Sequence, residues 1–189
     1  IDAFVVSDLG ILNIFKSNKM EDKVVLDLQT YITNKYSASS LLNLGVKKIC
    51  LSKEITLDDI RNISSFCNGK IELLCQGYVP ITYSKRPILS CFYKKHGLKK
   101  QKGVHYLKEE NRNNYYYLKE DDGSLIVYND RQYSLFPYLD ILIDNKVTDF
   151  RIDATFLKEE EVKKEKVEKS KNKYTAMSIL TAFSLSLNN

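Results

Sequence analysis

Apolar residues along the chain gather into short runs that stop at polar ones. Five such runs, rich in β-branched residues, recur: AFVVSD (Ala3–Asp8), KVVLDLQ (Lys23–Gln29), KKICLSKE (Lys47–Glu54), KIELLCQ (Lys70–Gln76) and TDFRID (Thr148–Asp153). Near-continuous apolar runs of this length predict strands buried on both faces, and hence a parallel sheet. Helical signals lie between them. Thr56 with Asp59 three residues later is a capping box, after which Leu57, Ile60, Ile63 and Phe66 repeat at helical spacing. Thr33 is placed to cap a segment that carries Ala38, Leu41 and Leu42 and stops at Gly45. Ser134 is placed to cap a helix with Pro137 in its first turn and Leu139, Leu142 and Ile143 facing inward. Strand–helix alternation of this kind predicts an α/β fold with right-handed crossovers.

The rhythm breaks between Tyr78 and Arg131. There, Tyr115–Asn129 (YYYLKEDDGSLIVYN) sets an Asp-Asp-Gly turn between β-prone flanks and predicts a hairpin. It is an excursion from the parallel core, inserted before the last strand. Beyond that strand, Lys158–Lys173 is a charge-dense run, expected to be a solvated helix face or a mobile linker. The closing TAMSILTAFSLSL is apolar enough to predict a docking helix. The expected organisation is a core over 1–157, with a loop and hairpin insertion at 77–131, followed by a charged segment and C-terminal helix over 158–189. The chain opens on a strand without an initiator methionine, which suggests the C-terminal portion of something larger.

Composition narrows the class. A chain of 189 residues suffices for one domain with a substantial core. Its 43% hydrophobic and 28% charged residues are those of a soluble globular protein rather than a disordered one. No apolar run approaches the roughly 18–20 residues a spanning helix needs, so no membrane contact is expected. No basic-then-apolar leader opens the sequence, and a cytoplasmic location is expected. Cys50, Cys67, Cys75 and Cys91 are spread out without a CxxC pair. Reduced, packed thiols are therefore expected rather than a metal site or a disulfide framework.

Two signals point to chemistry. In a parallel barrel or open sheet, ligands bind beyond the carboxyl ends of the strands. That rule collects Asp8, Asp27, Gln29, Lys53, Glu54, Gln76, Gly77, Arg151 and Asp153. Lys53–Glu54 and Arg151–Asp153 offer opposite charges at the rim, so these four are the candidate catalytic residues for proton transfer or for binding an anionic small molecule. Alternatively, the pairs only neutralise one another. Asp8, Asp27, Gln29, Gln76, Tyr83 and Arg86 are the candidate substrate-binding residues.

The second signal is charge segregation. No acidic residue occurs from Leu73 to Lys108, yet the window carries Lys85, Arg86, Lys94, Lys95, Lys99, Lys100, Lys102 and Lys108, with Tyr78, Tyr83, Phe92, Tyr93 and Tyr106 interleaved. Cations neutralise phosphates while rings stack on unpaired bases. Lys85, Lys94, Lys95, Lys99, Lys100 and Lys102 are accordingly candidate nucleic-acid contacts; the alternative is a solvated basic loop. The net charge of +5 is modest, so the clustering carries the argument. HExxH, GxSxG, P-loop and GxGxxG motifs are absent. His96 and His105 lie in the basic excursion and are expected to be exposed or structural.

The segment QGYVPITYSKRPILS (Gln76–Ser90) resembles the signature of the collagenase-like peptidases, the thirty-second family of peptidases of unknown type. DAFVVSDLG, DLQTYITN, GVKKICLSKEITLDDI, YYLKEDDGSLIVYNDRQYSLFPYLDILID and VTDFRID agree in order, so the resemblance covers Ile1 to Asp153. It implies that the five runs are the later strands of a TIM-like barrel. Where complete family signatures carry cysteines, this chain has Pro80 and Pro87, which offer no thiolate to a metal or cluster; no cofactor is therefore expected on this chain, apart from a carboxylate small molecule. The family's closing Lys-Ile-Glu-Gly is similar to Arg151-Ile152-Asp153-Ala154. The chain looks like the cysteine-poor type that partners a cysteine-containing homologue. The resemblance then implies prephenate-dependent hydroxylation of the tRNA wobble uridine, with tRNA as a partner. Its peptidase label implies, as an alternative, degradation of collagen-like or unfolded protein. A non-catalytic scaffold or decaying paralogue is the third expectation.

Overall fold

Residues 1–29, 31–121 and 123–156 are described in full by the computed structural model, and residues 178–182 by their backbone. In chain order the elements are β1 (Phe4–Val6), α1 (Leu9–Ser17), β2 (Val24–Leu26), α2 (Lys35–Leu42), β3 (Lys48–Cys50), α3 (Leu57–Cys67), β4 (Ile71–Ser84), α4 (Ile88–Lys95), β5 (His105–Lys108), β6 (Tyr115–Asp121), β7 (Ser124–Ser134), α5 (Leu139–Asp144), β8 (Asp149–Asp153) and β9 (Ser178–Ala182). They divide into two compact units. The first holds Ile1–Gly77 and the described residues from Ser134 onward; the second is Tyr78–Tyr133.

The first unit is α/β with a parallel sheet, as the strand–helix alternation predicts. Its strands run in the order β1-β2-β3-β4-β8-β9, and every adjacent pair is parallel. The register sorts side chains into two sets, because successive residues of a strand point to opposite faces. One face carries Val6, Leu26, Ile49, Ile71, Leu73, Phe150 and Ile152, all buried. Parallel strands joined through helices need such a face to pack the crossovers. Leu12, Ala38, Ile60, Ile63, Cys67 and Leu142 are the buried apolar residues that the helices bring, with Ser64 beside them. Fully burying each leucine or isoleucine among them contributes about 1.5–3 kcal/mol.

The opposite face corrects the expectation of runs apolar on both sides. In the same register it presents Val25, Lys48, Cys50, Glu72, Leu74, Asp149 and Arg151. Glu72, Asp149 and Arg151 are all buried. DFRID thus alternates, with a charge at every second position, and IELL carries the single charge of Glu72.

Helix ends differ from expectation where two caps compete. Thr56 and Asp59 form the capping box of α3 as predicted. The cap of α2 is Asn34 rather than Thr33: its side-chain oxygen accepts from the amides of Tyr36 and Ser37. Asn and Ser-type side chains both cap well, and the residue directly before the first helical turn prevails. Ser134 ends β7 instead of capping a helix, and its hydroxyl accepts from the Phe136 amide. Phe136–Tyr138 then form a 3-10 turn that leads into α5. Phe66 is more than half exposed, and the inward face of α3 is Ile60, Ile63, Ser64 and Cys67. The Ser64 hydroxyl donates to the Asn145 carbonyl and ties α3 to the end of α5.

At the C-terminal end, Ser178–Ala182 is a strand parallel to β8, not part of a helix. Ile179 and Thr181 are β-branched and suit a strand, and β8 offers an edge to pair with. The charged run Lys158–Lys173 lies outside the described residues.

In the second unit the strand order is β4-β7-β6-β5. The predicted hairpin is β6 and β7, antiparallel from Tyr117↔Tyr128 to Asp121↔Ser124. It turns at Gly123, whose φ of 73° favours glycine. β5 adds an antiparallel edge through His105↔Leu118 to Lys108↔Tyr115. Helix α4, which no sequence signal announced, lies between β4 and β5.

Candidate functional site

Parallel pairing brings the ends of β1, β2, β3 and β8 to one edge of the first unit, with Asp8, Asp27, Lys53, Glu54 and Asp153 at or just beyond them. Gln76, buried within β4, is level with Ile152 and belongs to the same edge. These residues nevertheless do different work. Asp8 caps α1, accepting from the Ile11 amide at 3.0 Å. Asp27 is buried, accepts from the Gln29 amide at 3.1 Å and receives the Arg151 Nη1 at 2.5 Å. Gln29 itself is exposed and takes a left-handed φ of 61°. Lys53 is half-buried and Glu54 exposed. The Glu54 amide donates to the Ser52 hydroxyl, and no ion pair joins Lys53 to Glu54 among the described residues.

Arg151 also pairs across strands, not with Asp153. Its two guanidinium nitrogens reach Asp27 and Glu72. Asp153 instead accepts from the amide and hydroxyl of Thr155, at 2.9 and 2.6 Å. A second pair on the same face joins Lys48 and Asp149. Three carboxylates and two cations therefore share a buried sheet face. Removing one partner from such a pair strands a charge without water, which is why the network forms inside the fold. Burial pushes the Glu72 carboxyl upward, and the neighbouring Arg151 opposes the shift without cancelling it. Burial, together with the charge of Asp27, pushes the Cys50 thiol up to about 12. It is a buried, protonated thiol. Cys67 and Cys75 are buried as expected, whereas Cys91 is exposed rather than packed.

Gly77 explains the glycine after Gln76. Its φ is 150°, and a Cβ built there would lie 2.6 Å from the Asp153 Cβ. The close approach of β4 to β8 at the rim admits no side chain.

Beside this edge an open groove of about 760 Å³ is lined by Ser7, Asp8, Leu9, Leu28, Tyr31, Tyr36 and residues of α2. No lysine or arginine lines it, so its chemistry does not favour a carboxylate ligand. Of its lining residues the sequence singles out Asp8; Tyr31 and Tyr36 carry no charge and give no such signal.

The basic excursion has the opposite character. Lys85, Arg86, Lys94, Lys95, Lys99 and Lys102 are exposed, and none has an acidic partner among the described residues. Lys100 differs: its Nζ pairs with Glu120 at 2.8 Å. Tyr83, Phe92 and Tyr106 are more than half exposed. Tyr117 centres an aromatic group, with Tyr78 at 4.5 Å and Tyr106 at 5.0 Å between ring centroids. The Tyr78 hydroxyl donates to Tyr117 at 3.2 Å; burial and this neighbour push Tyr78 up to about 12. His96 is exposed against Phe92, and half-buried His105 meets Tyr93 edge-on, so both stand with rings. Among the described residues, no group of three His, Cys, Asp or Glu could hold a metal ion, and no helix is long and apolar enough to cross a membrane.

No solved structure matches the chain. It is 24% identical over 160 residues to the tRNA hydroxylation protein P2 of Bacillus subtilis (strain 168), covering 82% of this chain and 52% of that protein. The chain thus spans about half the length of this relative. The sequence model of peptidase family U32 matches residues 1–177, nearly the whole chain, and the protein belongs to that family.

Proposed function

We propose that this chain serves tRNA hydroxylation as a cluster-lacking component, binding RNA through the basic surface of Tyr78–Tyr133. The observation that carries the reading is the set of six exposed cations without an acidic partner among the described residues, in a segment that also exposes Tyr83, Phe92 and Tyr106. Exposed lysines release counterions from phosphates, and rings offer stacking faces to unpaired bases. The similarity to a protein named for tRNA hydroxylation supports the same direction. The parallel strands are the later part of a TIM-like barrel, and its strand-end rim is where a small substrate would enter. Pro80 and Pro87 leave cluster chemistry to a cysteine-containing homologue as partner subunit, in the cytoplasm.

Binding of unmodified tRNA to the full chain, followed by fluorescence anisotropy from 50 to 200 mM salt, tests the reading. Wild type should weaken steeply as salt rises. A Lys94→Ser, Lys95→Ser, Lys99→Ser variant should bind more weakly and show a flatter slope. Salt-independent or unchanged affinity in that variant removes the RNA assignment. Cleavage of gelatin by the same preparation would favour peptidase chemistry instead.

A further inference from the structure

Helix α4 lacks an ordinary start. Its N-cap is Pro87, which has no side-chain acceptor, and no cap hydrogen bond is made there. A helix leaves its first amides without intrahelical partners, and a negative group near them is stabilising. Here that group comes from thirty residues further on. Both carboxylate oxygens of Glu120, on β6, accept from the Ser90 amide at 3.1 Å. The Ser90 hydroxyl also donates to Glu120. Lys100 then closes the arrangement, its Nζ lying 2.8 Å from Glu120 and 3.3 Å from the Ser90 hydroxyl. The Glu120 side chain is only 4% exposed. Burial alone would raise its carboxyl, but Lys100 and Ser90 outweigh that and hold it below the usual glutamate range.

We infer that Glu120 is a positioning residue for the RNA-binding surface: a tertiary cap that fixes α4 and the Lys99–Lys102 segment to the hairpin, so that Lys94, Lys95, Lys99 and Lys102 share one fixed surface. The inference rests on the RNA reading above. It assigns an acidic residue a favourable part in binding a polyanion. Charge bookkeeping alone predicts the reverse, since Glu120 adds repulsion toward phosphate and holds Lys100 neutralised.

That opposition of sign supplies the test. The full chain is compared as wild type, Glu120→Gln and Glu110→Gln, the last being an exposed acidic residue of the same unit outside the clasp. Each substitution removes one negative charge. Glu110→Gln is expected to bind tRNA as tightly as wild type or up to a fewfold more tightly. Glu120→Gln is expected to bind about three- to tenfold more weakly, with faster hydrogen exchange at the Ser90 amide. Should Glu120→Gln match Glu110→Gln, or bind more tightly than wild type, the inference is overturned. If Glu120→Gln does not fold, Ser90→Ala replaces it: it keeps every charge and removes only the hydroxyl, and two- to threefold weaker binding is expected. Unchanged affinity in Ser90→Ala overturns the inference. A wild-type chain that shows no salt-dependent tRNA binding refutes the RNA reading itself, an outcome distinct from these.

Discussion

The two units hold charge in opposite ways. On the buried face of the parallel sheet, Arg151 is shared between Asp27 and Glu72, and Lys48 faces Asp149. In Tyr78–Tyr133, Lys85, Arg86, Lys94, Lys95, Lys99 and Lys102 stand exposed without acidic partners among the described residues. A charge whose partners are already in the fold serves architecture, since freeing it for a ligand would strand the carboxylates it neutralises. A charge left to solvent is free for an anion. Position at a strand end is therefore insufficient to mark a site; the decisive question is what already satisfies each group.

Breaking the contrast on the sheet side should give the largest effect. Arg151→Met leaves Asp27 and Glu72 buried and unpaired, and is expected to destabilise the chain by about 3–5 kcal/mol in urea unfolding. Gly77→Ala forces a Cβ against Asp153 in a backbone conformation that favours glycine. A loss of about 1–3 kcal/mol is expected by the same measurement. On the exposed side, the triple Lys94, Lys95 and Lys99 to Ser variant should keep its stability within about 0.5 kcal/mol. Its slope of log affinity against log salt should flatten by about 2, since each phosphate contact contributes roughly 0.7–0.9.

Two smaller effects sharpen the comparison. Glu72 is raised by burial, whereas Glu120 is lowered by its hydrogen bonds. For Glu72 the folded state holds the proton more firmly than the unfolded chain. Its contribution therefore falls as pH rises from the ordinary glutamate range through the raised value. For Glu120 the stabilisation is present above the ordinary range and is lost as pH falls through the lowered value. Carboxyl-carbon NMR titration should place Glu72 above, and Glu120 below, the ordinary glutamate range. Thiol labelling at pH 8 should modify Cys91 fast and Cys50 only on unfolding, because Cys50 is buried with its thiol near 12.

What could be read from the sequence was whatever is local. Periodicity located β1, β2, β3, β4 and β8 and the β6–β7 hairpin, and a local capping box located α3. Helix α4 escaped because its cap, Glu120, lies thirty residues away, and a proline at the N-cap looks like a break. Helix α1 has its signal in Asp8, but a carboxylate at a strand end reads equally as a ligand group and as the N-cap it is. The cross-strand pairing of Arg151 was hidden for a similar reason. Asp153 is its neighbour in sequence and at the rim, whereas Asp27 is 124 residues away and becomes its partner only through sheet register. The clustering of exposed cations was legible because an acid-free window needs no tertiary information. The exception of Lys100 was not, since Glu120 lies outside that window.

Hydrogen exchange of the full chain with and without bound tRNA tests the division of labour most directly. Protection is expected to gather in Lys85–Lys102 and the adjoining β5, while β2, β3 and β8 exchange at the same rates in both states. Protection confined to Val24–Glu54 and Asp149–Asp153, with Lys85–Lys102 unchanged, would contradict it.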